Sequence, residues 1–209
     1  MTDESLLITN AQICNEGRVA AGDVLVRRGR IEMIAREIPA GRVDRIIDAR
    51  GRYLLPGFID DQVHFREPGL THKGDIATES AAAVAGGITS FMDMPNTIPN
   101  VTSRAVLNDK FRLARGRSRA NFSFYFGGAN DNLDEIRALQ PGDCCGVKIF
   151  MGASTGNMLV DDPVTLERIF ADCPLLIATH CEDTPTIKAN EERFREQYGE
   201  DVPFSAHPL

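Results

Sequence analysis

The 209-residue sequence contains no apolar run approaching the length of a membrane span. Its opening, Met1-Thr2-Asp3-Glu4-Ser5, is acidic where a secretory leader would be basic, so neither a membrane nor an export role finds support and a cytoplasmic location is expected. Positive charge is scarce: 23 Lys and Arg stand against 30 Asp and Glu, a net charge of −7. That balance disfavours nucleic acid and anionic membranes as partners. The five cysteines are odd in number and none are spaced Cys-x-x-Cys, so neither a disulfide framework nor a thiolate zinc cage is expected. A Gly-x-Gly-x-x-Gly phosphate loop is also missing, which argues against a dinucleotide-binding doubly wound sheet. What is present is ordinary for a globular chain able to bury a core: 43% hydrophobic and 25% charged residues.

The texture of the chain changes near residue 54. Before it, short apolar stretches at Leu6-Leu7-Ile8, Asp23–Val26, Arg30–Ile34, Arg45–Asp48 and Tyr53–Leu55 are punctuated by Gly, Asn and Asp. Arg27-Arg28-Gly29 marks a hairpin. These stretches predict a small β-sandwich subdomain over 1–54. From 55 to 209, strand-like and helix-like segments alternate. Strands are predicted at 58–59, 88–94, 121–126, 146–150 and 175–180, with helices at 78–85, 103–115, 132–139, 162–170 and 184–198. About five βα units in succession point to the α/β class and a parallel sheet or (β/α)8 barrel. Such a barrel needs about 200 residues or more, so the expected architecture is an incomplete barrel, the N-terminal part of a longer protein, inactive alone and only marginally stable.

The polar candidates fall where the predicted strands end, the end at which barrel enzymes carry their chemistry. These are His64 and Arg66, Asp93 and Asn96, Lys148, and His180. In Asp60-Asp61-Gln62-Val63-His64-Phe65-Arg66, strand alternation would put residues 60, 62, 64 and 66 on one face. A histidine there can bind a metal and an arginine can grip a carboxylate. Lys148 lies inside a predicted buried strand, where a lysine is costly without a partner and has its amine favoured in the neutral form. Pro95-Asn96-Thr97 reads as a turn, and His180 closes an apolar strand.

Taken together, these segments resemble the signatures of dihydroorotases, in the amidohydrolase superfamily. The resemblance rests on the Asp-x-His-x-His-x-Arg motif at 60–66, Met94-Pro95-Asn96-Thr97, Gly146-Val147-Lys148-Ile149-Phe150-Met151-Gly152, and His180-Cys181-Glu182-Asp183. It implies a TIM-type barrel that reversibly hydrolyses the cyclic amide of dihydroorotate to N-carbamoyl-aspartate in pyrimidine synthesis, by a metal-activated hydroxide. It further implies one or two Zn2+ ions held by His64, His180 and Lys148, the last as a carbamate with a catalytic role. Arg66 and Asn96 would hold the substrate carboxylate.

Two departures accompany the resemblance. Gln62 stands where the motif has a histidine, so the metal count is open, and Asp60 or Asp61 is an alternative donor. The family's later histidine and aspartate have no counterpart before Leu209, and His207 lies in a loop-like setting unsuited to replace them. Alternative readings are a hydantoinase- or allantoinase-type enzyme, or a non-catalytic partner of a transcarbamoylase. A homodimer is left open.

Overall fold

The structure is a computed structural model that describes residues 4–152, 154 and 156–206; His207 lies outside them. Backbone contacts divide the chain into two units, Met1–Gly57 and Phe58–Leu209.

The first unit is all strand: β1 (Ser5–Asn15), β2 (Arg18–Arg27), β3 (Arg30–Ala35), β4 (Arg45–Asp48) and β5 (Tyr53–Leu54). They hydrogen-bond into one sheet, in the order β3-β2-β1-β4, with β5 also beside β1. The β2–β3 turn has positive φ at both Arg28 and Gly29, the left-handed pair that matches the twist of a tight hairpin. Leu7, Leu25 and Ile38 form its small core. Buried Asp23 secures the periphery by accepting from the backbone of Asn10 and Ile38 at 3.0 and 2.9 Å.

The second unit alternates without exception among the described residues: β6 (Phe58–Val63), α1 (Ile76–Ala85), β7 (Ile88–Asp93), α2 (Arg104–Ala114), β8 (Asn121–Gly127), α3 (Leu133–Arg137), β9 (Gly146–Phe150), α4 (Pro163–Asp172), β10 (Ile177–His180) and α5 (Thr184–Tyr198). All neighbouring strands are parallel and lie in chain order. This curled sheet corresponds to five consecutive units of a (β/α)8 barrel. The helices begin at residues whose side chains satisfy their free amides: Asp75 for α1, Ser103 for α2, and Asp162 ahead of Pro163 for α4.

Alternation along each strand separates two faces. Phe91, Phe124, Phe126, Val147 and Ile149 point toward the helices and pack with Ile76, Leu107 and Ile169 in one core. An aromatic chain runs through it, with Phe65 and Phe91 centred 4.5 Å apart and Phe111 meeting Phe124 edge-on at 4.9 Å. The intervening residues face the other way, toward what is the interior of a barrel.

At β6 the alternation breaks. Asp60 pairs with Phe91 and Val63 with Asp93, so two residues of β6 oppose the single residue Met92. This bulge puts Asp60 on the helix side, with Phe91. The expectation that residues 60 through 66 share one face at even positions therefore fails at Asp60.

Candidate active site

Lys148 sits in the middle of β9, and its cross-strand neighbours are Gly127 on β8 and Ala178 on β10. Two positions along, Phe150 pairs with His180. Partners in a parallel pair share a face, so Lys148, Phe150 and His180 all lie on the inner one. The His180 ring stacks on Phe150 with centroids 5.4 Å apart. Lys148 is 2% exposed, and its ammonium lies 5.1 Å from the Phe150 ring centroid. It forms no hydrogen bond or ion pair among the described residues. Burial lowers its pKa from the ordinary 10.5, while Glu182 and Cys181 pull in the opposite direction. Gly127 leaves room beside it: a Cβ there would come within 2.9 Å of the Met158 terminal methyl and 3.2 Å of Pro95.

His64 follows directly on β6. Its Nδ1 lies 2.9 Å from Oδ1 of Asn96. As that oxygen accepts, the proton is on Nδ1, which leaves the Nε2 lone pair available. Burial, then the Arg66 guanidinium, and to a smaller extent His180, hold the His64 pKa below 6.5, against the opposing pull of Asn96 and Asp93. The residues of the first and last motifs are therefore within electrostatic reach of each other. Arg66 has a left-handed backbone, φ 67°, and lines a cleft of about 490 Å³ together with Asn96, Asn100, Ser154 and Met158. No carboxylate pairs with it among the described residues.

Other sequence-derived candidates are placed differently. The Asp60 carboxylate accepts from the backbone N–H of Gln62 at 3.1 Å, a local turn at the bulge. Gln62 is exposed. Asp93, expected at the mouth, points instead to the helix layer and pairs with Lys110 of α2 at 2.8 Å, with both side chains buried. Lys110 was not a candidate from sequence. Its signal was available, because it shares the face of Leu107 and Ala114, both buried, at helical spacing. Glu67 was missed as well; it accepts from Arg117 at 2.6 Å and from the Ile76 amide at 2.9 Å, anchoring the Arg66 loop to α1.

Among the described residues, no three His, Cys, Asp or Glu side chains already converge as a metal cage. Apart from Oδ2 of Asp93, which faces Lys110 on the helix side, the buried side-chain atoms without a hydrogen-bond partner among the described residues are Nδ1 of His180 and Oε2 of Glu182, the latter within electrostatic reach of the Lys148 amine. Buried polar groups are ordinarily satisfied. Two neutral imidazoles and an anionic carbamate on Lys148 would form a donor set suited to a divalent metal, so the chemistry of the residues fits one.

Residues 51–131 match the family described as Dihydro-orotase-like. The chain is 36% identical to a dihydroorotase of Methanosarcina acetivorans, over 90% of this chain and 39% of the relative. It is 33% identical to an allantoinase of Desulfitobacterium hafniense, over 90% of this chain and 43% of the relative. Among solved structures it superposes on the L-hydantoinase (dihydropyrimidinase) of Arthrobacter aurescens with a TM-score of 0.85 and 29% identity, covering 94% of this chain and 45% of that one. The chain thus spans about two fifths of the length of such relatives. It is a homologue of the cyclic amidohydrolases, with a dihydroorotase-like segment at 51–131.

Proposed function

We propose that the chain forms part of a zinc-dependent dihydroorotase, which opens the ring of dihydroorotate to N-carbamoyl-aspartate in pyrimidine synthesis. The observation that carries this reading is the unpaired guanidinium of Arg66 in a cleft with Asn96, next to the His64 imidazole. A planar guanidinium that pairs with no carboxylate among the described residues suits a carboxylate on the substrate, because the two bind through parallel hydrogen bonds. The Asn96 Nδ2, left free by the contact of its oxygen with His64, supplies a further donor.

His64, His180 and Lys148 would hold zinc, one ion or two, once the neutral amine of Lys148 has added carbon dioxide. In that step a N–C bond forms and a proton passes to water, leaving an anionic carbamate. When bound, the metal supplies Lewis acidity and lowers the pKa of a water molecule. The chain itself orients the ring through Arg66 and Asn96, and keeps His64 neutral so that its lone pair remains free.

One observation favours a second reading, a hydantoin-type substrate: the superposition on an L-hydantoinase at a TM-score of 0.85. Turnover of dihydroorotate, hydantoin and allantoin by the full-length protein with zinc separates the two. Dihydroorotate is expected to be preferred. The Arg66→Ala change should raise KM for it by about 10- to 100-fold, the worth of a charge-assisted contact. Turnover confined to hydantoin or allantoin would sink the dihydroorotase reading.

A further inference from the structure

The mouth is bordered by a buried ion pair that makes no contact with the cleft. Asp93 ends β7 and Lys110 lies midway along α2; their side chains are 1% and 0% exposed. Removing two charges from water is unfavourable unless further hydrogen bonds compensate, and here the backbone supplies one to each residue. The Asp93 Oδ1 accepts from the Phe65 N–H at 2.9 Å. Its Oδ2 meets Lys110 Nζ at 2.8 Å. That same Nζ donates to the Met94 carbonyl at 2.9 Å and lies 4.9 Å from the Phe124 ring centroid. The Met94 N–H in turn donates to the Val63 carbonyl at 2.9 Å.

His64 is therefore bracketed. Its preceding carbonyl is held by Met94, and its following N–H by Asp93. Asn96, two residues beyond Met94, is fixed from the opposite side by the Lys110 bond to the Met94 carbonyl. These bonds set the relative position of the ends of β6 and β7, which carry the two side chains of the 2.9 Å contact between His64 and Asn96.

We infer that Asp93 and Lys110 are a positioning pair: acting through the backbone, they hold His64 and Asn96 in contact and thereby keep the His64 proton on Nδ1, with Nε2 presented to the inner face. The inference concerns the metal-free geometry of the chain. It stands or falls whichever cyclic amide is the substrate, so its failure is distinct from failure of the dihydroorotase reading.

The test is nitrogen NMR of the His64 ring in the full-length, metal-free protein, above the ordinary imidazole pKa, together with exchange of the Phe65 amide. The parent should show one tautomer, protonated at Nδ1, and a protected Phe65 amide. Asp93→Ala should mix the tautomers and speed Phe65 exchange by about tenfold or more. Asp93→Asn retains an oxygen that can accept from Phe65 and should restore both signals. A merely structural pair would show no such rescue of the tautomer. Lys110→Met removes the donor to Met94 together with the counter-charge of Asp93 while leaving the Asp93 bond to Phe65 possible, so it should mix the tautomers even if Asp93→Ala does not fold. The inference is overturned if either folded variant keeps the parent tautomer, or if Asp93→Asn behaves as Asp93→Ala does.

Discussion

The two faces of the parallel sheet treat buried charge in opposite ways. On the helix side, Asp93 and Lys110 neutralise each other and use their remaining capacity on the backbone of Phe65 and Met94. On the inner side, among the described residues, Lys148 lies over an aromatic ring and makes no hydrogen bond, and Nδ1 of His180 and Oε2 of Glu182 have no hydrogen-bond partner. The helix layer supplied partners from α2 and the loops, whereas among the described residues the inner face supplied no hydrogen bond to these three groups. Buried groups left unsatisfied reduce stability, so their concentration beside a histidine and a cleft marks where chemistry, not folding, sets the residue types. The satisfied pair frames the proposed site, and the unsatisfied cluster lies within it.

The sharpest way to break this contrast is to remove one lysine from each face. Lys110→Met leaves the Asp93 carboxylate buried and unpaired, and should lower the unfolding free energy by about 3–5 kcal/mol in a denaturant titration. An intermediate effect is expected for Glu67→Ala, which strands the Ile76 amide and the Arg117 guanidinium; a loss of about 1–2 kcal/mol should appear in the same titration. Lys148→Met removes an ammonium that has no hydrogen bond among the described residues, so stability should change by less than about 1 kcal/mol or increase, while the proposed activity should be lost. If Lys148→Met proved as destabilising as Lys110→Met, the two faces would not differ as described.

A smaller effect concerns pH. The folded chain disfavours protonated His64, whereas the unfolded chain titrates near 6.5. Above 6.5 both states are neutral and the residue makes no difference. Below it the unfolded state takes up the proton first, so stability should decline as pH falls under 6.5. Arg66→Gln removes the second of the two leading causes and should raise the His64 pKa toward 6.5 without fully restoring it, as followed by NMR titration. No change on that substitution would mean that burial alone sets the value.

Much of this arrangement was legible in the sequence. The second unit follows the predicted alternation closely, because its strands are rich in apolar residues, three of its helices carry side-chain caps at Asp75, Ser103 and Asp162, and two stop at Gly86 and Gly199. Lys148 stood out as a charge flanked by Val147 and Ile149, which cannot be neutral in its effect on a buried strand. Three features could not be read. The bulge at Asp60 depends on the register against β7, a long-range property that strand periodicity does not encode. The direction of Asp93 follows from its partner Lys110, which is a tertiary contact. The five strands of the first unit were expected as a sandwich, but which strands pair is fixed by connections: β4 and β5 both join the free edge of β1, and a single sheet results.

The unsatisfied inner face is tested most directly by carbon NMR of the full-length protein in 13C-labelled bicarbonate with zinc. A carbamate resonance should appear in the parent, be absent in Lys148→Met, and persist in a Lys188→Met control on the surface of α5. An unmodified Lys148 under those conditions, with zinc bound at full occupancy, would contradict the assignment of that lysine to the site.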